Sequence, residues 1–98
     1  MKKNIRILGH TYKIMPQDNL FQDTGTPALI NKRTQIISYD PTLNKSSTEE
    51  SILHEVIEAL NFHLGMNLEH DKQLIPLSEG IYATLKGAKW LTIIGEEE

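Results

Sequence analysis

Cysteine is missing from all 98 residues. No disulfide can staple the fold, and any metal site must be built from His, Asp or Glu. That usage is compatible with the cytoplasm, which is the expected location. A membrane-length apolar run is also missing: Trp90-Leu91-Thr92-Ile93-Ile94 is far too short to cross a bilayer. Met1 to Arg6 carries basic residues with no long apolar stretch behind them, so nothing reads as a signal peptide. There is no basic block, and the formal net charge is −3, which leaves no footprint for nucleic-acid binding. A glycine-rich phosphate loop, a serine-nucleophile motif and internal repeats are absent as well.

What is present fits one small globular domain over residues 1–98. The hydrophobic share of 39% and the charged share of 23% allow a modest single core. The acidic end, residues 95–98, is expected to fray into solvent. Oligomeric state leaves no trace in the sequence.

The rest of the chain is arranged around Ser47 to Gly65. Ile52, Leu53, Val56, Ile57, Ala59, Leu60 and Leu64 recur at helical spacing and form an apolar stripe. Ser47 and Glu50 are placed as a capping box, Glu49 and Glu50 suit the positive end of the helix dipole, and Gly65 suits a left-handed stop. At roughly 100° per residue, His54 and Glu58 fall one turn apart on a face away from that stripe. An imidazole and a carboxylate so placed can grip one divalent ion. Glu55, beside His54, is positioned to take a proton from water activated by that ion.

His54-Glu55-Val56-Ile57-Glu58 resembles the His-Glu-x-x-His helix of zincin metallopeptidases, with Glu58 where the second histidine stands. Ile30 to Asp40, Leu68-Glu69-His70, and Gly80-Ile81-Tyr82 with Leu85 resemble the flanking segments of small phage and prophage metallopeptidase-like proteins, which are similar to repressor-cleaving peptidases of mobile elements. The likeness covers residues 28 to 86. It implies a minimal zincin-like α+β domain: a small antiparallel or mixed sheet, an active helix, and a second helix packed on it. It implies a zinc-dependent peptidase of phage or prophage origin, with manganese or iron as other metals. The substrate would be a protein or peptide, received as an added strand on a sheet edge beside the active helix. The metal ligands would be His54, Glu58 and His70, with Glu79 the other candidate for the third place, and Glu55 would be the general base. The competing reading is a catalytically inactive metal-binding or protein-interaction scaffold of the same fold.

Taken in order, Asn4 to Met15 predicts a hairpin with Gly9-His10 at the turn. His10 there is a polar turn residue before it is a ligand. Pro16 to Pro27 predicts a polar connector pinned by Leu20 and Phe21. Ala28–Asn31 and Thr34–Tyr39 predict a second hairpin, giving about four strands in all. His63 lies opposite His54 on the helix and is expected to be hydrogen-bonded and partly buried. Phe62, Tyr82 and Trp90 are expected in the core. Pro76 predicts a helix over Leu77–Trp90 after a separate turn at Asp71–Ile75, with Gly80 at a close helix contact. Asp71, Asn61 and Asp40 are the candidates for orienting the imidazoles.

Overall fold

A computed structural model describes residues 4–89. The fold is α+β, with strands and one short helix first and the long helices after. Strands β1 (Asn4–Ile7), β2 (His10–Pro16), β3 (Ala28–Asn31) and β4 (Ile36–Tyr39) form one sheet in the order β1-β2-β4-β3. The β1–β2 and β3–β4 pairs are antiparallel hairpins, and β2 and β4 join them in parallel, so the sheet is mixed. Helix α1 (Leu20–Thr24) lies in the β2–β3 connection. Helix α2 (Lys45–His63) follows the sheet, then a π-turn (His70–Leu74) that runs directly into α3 (Ile75–Gly87).

Alternation along the strands sets the sheet's inner face. Ile7, Tyr12, Ile14, Ala28, Ile37 and Tyr39 are buried, while Arg6, Thr11, Lys13, Met15 and Leu29 are exposed. Register carries that face across the sheet, with Ile14 opposite Ile37 and Ala28 opposite Tyr39. Ile52, Leu53, Ile57 and Ala59 of α2 close the core from above, and Leu74 seals the end beneath α3. Burying each of the larger side chains contributes about 1.5–3 kcal/mol before entropy is counted.

Several boundaries differ from the sequence reading. The first hairpin turns at Leu8-Gly9, both with positive φ (52° and 84°), and His10 already belongs to β2. A two-residue loop of this hand matches strand twist, which outweighs the cost of a non-glycine residue at Leu8. The polar connector holds α1, which buries Leu20 and leaves Phe21 exposed. Helix α2 begins before Ser47. Asn44 is its cap, its side-chain oxygen accepting from the Ser47 amide at 2.8 Å. The earlier start moves Glu49 out of the first turn and under α3, where it is buried. The helix ends as expected at Gly65 (φ 67°). Met66 N–H reaches the Asn61 carbonyl at 3.0 Å and Gly65 N–H the Phe62 carbonyl at 3.2 Å. Leu64, counted in the apolar stripe, is exposed.

Pro76 does not separate two helices. The π-turn widens the backbone just before it: Leu74 N–H reaches the Glu69 carbonyl five residues back, at 2.9 Å. The wider ladder then passes into α3 with Pro76 in its first turn, where a missing donor costs little. Ser78 is buried on the face of α3 toward the core, with Ile81 and Tyr82 partly buried; Leu77 and Gly80 are exposed. Gly80 makes no close approach, since a Cβ there would meet nothing within 4 Å. Phe62, expected inside, is 57% exposed. Trp90 and the acidic end lie outside the described residues.

Candidate metal centre

Three residues predicted as ligands converge. One donor atom each from His54, Glu58 and His70 lies within 4.8 Å of the others, so the group could hold a metal ion. A zinc site needs such donors at about 2 Å from a common point. Helix α2 supplies His54 and Glu58 one turn apart, with His54 Nε2 3.7 Å from Glu58 Oε2. The π-turn supplies His70, whose ring meets His54 edge-on at a centroid distance of 5.2 Å.

The loop that carries His70 is set by Asn61. Its side-chain oxygen accepts the Leu68 amide at 3.1 Å, and its carbonyl takes the Met66 amide. Asn61 therefore acts on the site through the backbone and not on an imidazole. Asp40 is also committed elsewhere. It accepts from the Thr42 hydroxyl, the Phe21 amide and the Thr42 amide, which hold its carboxyl below the usual range. Of the three residues considered for orienting an imidazole, only Asp71 does so, with Oδ1 2.9 Å from His70 Nδ1.

Hydrogen bonds select the tautomer of each ring. Ser78 Oγ donates to the Ile75 carbonyl at 3.0 Å, so toward His54 Nδ1, 3.3 Å away, it can only accept. His54 then carries its proton on Nδ1 and presents a bare Nε2 toward Glu58. Likewise the Asp71 carboxylate holds the proton of His70 on Nδ1 and leaves Nε2 free. In its neutral form each ring therefore keeps Nε2 as the nitrogen able to bind metal.

For His54 the electrostatics favour the neutral form. Burial lowers the His54 pKa; Glu58 opposes this, His70 adds to it, and Glu79 opposes it. Glu55 is buried beside the trio, and its pKa is pushed up to about 8, first by burial and then by the Glu58 charge, with Lys32 acting against both. A carboxyl that trades its proton near neutrality is suited to proton transfer. The sequence placed the His54–Glu58 face away from the apolar stripe, yet Glu55 is almost fully covered, in the wall of a cavity that residues of β3 and α3 also line.

A cavity of about 440 Å³ opens over the trio, lined by Thr26 and Pro27, by Ala28 to Ile30 of β3, and by His54, Glu55, Glu58, His70 and Glu79. Strand β3 pairs with β4 alone, so its other edge is a sheet edge facing this cavity. Glu79 shares the cavity but stands outside the convergent group. Sequence reasoning missed Ser78 and Lys32, whose ammonium lies 3.5 Å from Glu58 Oε1. Neither carries a local signal, because each reaches α2 only through the fold.

The remaining histidines form a separate cluster. His63 is hydrogen-bonded as expected, with Nε2 2.7 Å from the Tyr12 hydroxyl. His10 stacks on it at 4.2 Å, and its Nδ1 faces the Gln35 amide at 3.2 Å. Among the described residues, no helix is long and apolar enough to cross a membrane. No protein-family model matches this chain, and no curated protein or solved structure matches it either, so the functional reading rests on the geometry of its own residues.

Proposed function

We propose that this chain is a zinc-dependent metallopeptidase-like protein that hydrolyses a peptide bond in a protein or peptide substrate. The observation that carries the proposal is the convergence of His54, Glu58 and His70 beside a buried Glu55, in a cavity flanked by a sheet edge. Two imidazoles and one carboxylate are a donor set that zinc accepts in catalytic sites, with manganese and iron as competitors. A bound zinc ion supplies Lewis acidity toward water and toward the scissile carbonyl. Glu55 takes the proton from the attacking water and returns it to the leaving amine. Ser78 and Asp71 keep the two imidazoles in the metal-binding tautomer. The free edge of β3 offers backbone donors and acceptors to an extended peptide laid across the cavity. The phage or prophage setting and a cytoplasmic location belong to the same proposal.

A second reading is favoured by one observation: Phe62 and Met66 are exposed and line one groove past the end of α2. A protein-interaction scaffold that keeps the metal site without turnover would use such a surface.

Metal content by elemental mass spectrometry on untagged protein, followed by cleavage of a peptide library, tests both readings. The enzyme holds about one zinc per chain, and Glu55→Gln keeps the metal but loses cleavage. Zinc retained with no cleavage by the unaltered chain points to the scaffold. No metal, and no thermal shift with zinc, manganese or iron, overturns both.

A further inference from the structure

Glu58 raises a coordination problem that an imidazole would not. An imidazole offers a metal one nitrogen, whereas a carboxylate offers two oxygens and can bind through both. A catalytic zinc with three protein ligands keeps its fourth position for water or substrate. A carboxylate binding through both oxygens crowds that position.

The structure divides the two oxygens of Glu58 between different partners. Oε2 faces His54 Nε2 at 3.7 Å, on the side of the convergent donors. Oε1 lies 3.5 Å from the Lys32 ammonium. Lys32 is itself held from several directions. It sits in the β3–β4 turn, which Asn31 closes by accepting the Arg33 and Thr34 amides, both at 3.0 Å. Its ammonium also lies 5.3 Å from the centre of the Phe62 ring. Phe62 follows Glu58 by one helical turn, so one face of α2 presents a carboxylate and an aromatic ring to the same cation.

We propose that Lys32 is a positioning residue that occupies Oε1 and keeps Glu58 a one-oxygen ligand. The inference rests on the metal-site reading above. With Lys32 in place, His54, Glu58 and His70 act as three single-atom donors and leave the fourth position open. The pair is partly exposed, with Lys32 and Glu58 side chains 31% and 28% accessible, so its contribution to stability is small. Its consequence is geometric: it decides which oxygen is free.

Cobalt(II) tests this, because its visible absorption is strong in four-coordinate sites and weak in five-coordinate ones, whereas zinc is silent. The probe is cobalt(II) alone, added to the full chain as unaltered protein, Lys32→Met and Lys32→Arg. The expected result is a strong four-coordinate spectrum for the unaltered chain, a severalfold loss of intensity in Lys32→Met, and retention in Lys32→Arg. An unchanged spectrum in Lys32→Met overturns the role of Lys32 while leaving the metal site standing. Equal loss in both variants also overturns it, because a guanidinium still offers a donor to Oε1. A weak five-coordinate spectrum in the unaltered chain overturns it too. No cobalt spectrum from the unaltered chain removes the metal site, and this role with it.

Discussion

Two histidine pairs each have one ring on α2, and they have different chemistry. His54 and His70 meet edge-on, with Glu58 and Asp71 beside them. His10 and His63 lie face to face, 9° from parallel, with Tyr12 and Gln35 as partners. The first pair presents nitrogen lone pairs and a carboxylate to a shared space. The second stacks its rings, and its polar contacts are to a hydroxyl and an amide. Both His54 and His63 have lowered pKa values because burial disfavours the imidazolium. Their neighbours then differ: Glu58 and Glu79 draw His54 back up against His70, while His10 and Lys32 both push His63 further down. A pair of histidines is therefore not a candidate metal site in itself; convergent donors and an adjacent negative charge are what let the first group hold an ion.

The largest effect that could break this comparison is on metal affinity. His54→Ala removes one of three donors and should weaken zinc binding by more than about a hundredfold, beyond the loss expected for an outer partner. His63→Ala should leave zinc affinity unchanged. Competition titration with a chromophoric chelator reads both, and an equal loss in the two variants would erase the distinction between the pairs.

Next comes the carboxylate partner. Asp71→Asn keeps the shape but removes the charge that holds the His70 tautomer, and zinc affinity should fall by about 10–100-fold. No change would mean that the exposed His70–Asp71 contact does not orient the ring.

The second pair should respond in stability instead. Tyr12→Phe removes the hydrogen bond to His63 in a fully buried position and should cost about 1 kcal/mol in urea unfolding. Zinc affinity should not move. A Tyr12→Phe variant as stable as the unaltered chain would show that stacking, not the hydroxyl, fixes His63.

The smallest effect is the pH dependence of that stability. The folded pKa of His63 lies below its ordinary value. Above pH about 6.5, where folded and unfolded chains both hold a neutral ring, its contribution is complete. As pH falls below that value, the unfolded chain gains a proton that the folded chain resists, so stability is lost down to the folded pKa. His63→Gln should flatten the slope of unfolding free energy as pH falls below about 6.5, relative to the unaltered chain. An identical slope would place the pH sensitivity elsewhere.

Much of the fold is local and could be read from the residues. Alternation in Ile5-Arg6-Ile7 and Tyr12-Lys13-Ile14 marks paired strands, and the spacing of Ile52, Leu53, Val56 and Ile57 marks the helix. Gly65 ends that helix as its conformational freedom allows. The misreadings share one cause. Asn44 and Ser47 are both good caps, and only the surrounding backbone chose Asn44. Glu49 looks like a solvated first-turn acid. It is instead 1% exposed, accepting from the Tyr82 hydroxyl at 3.1 Å and pairing with Lys86 at 2.9 Å. That contact also helps to push the Tyr82 pKa up to about 12, after burial. Its partners lie more than 30 residues away, and no local pattern announces them.

The same division runs through the site. By itself the sequence determined that His54 and Glu58 share a helix face with Glu55 adjacent, because helical periodicity depends only on near neighbours. The absence of cysteine limited the strong ligands to imidazole and carboxylate. Tertiary structure decided that His70, rather than Glu79, joins them, because the Asn61-held loop and the π-turn bring it back over α2. It also buried Glu55, set Ser78 behind His54, and brought Lys32 to the other oxygen of Glu58. Each of these depends on where the chain returns in space, which follows from packing over the whole core and not from residue spacing along one helix.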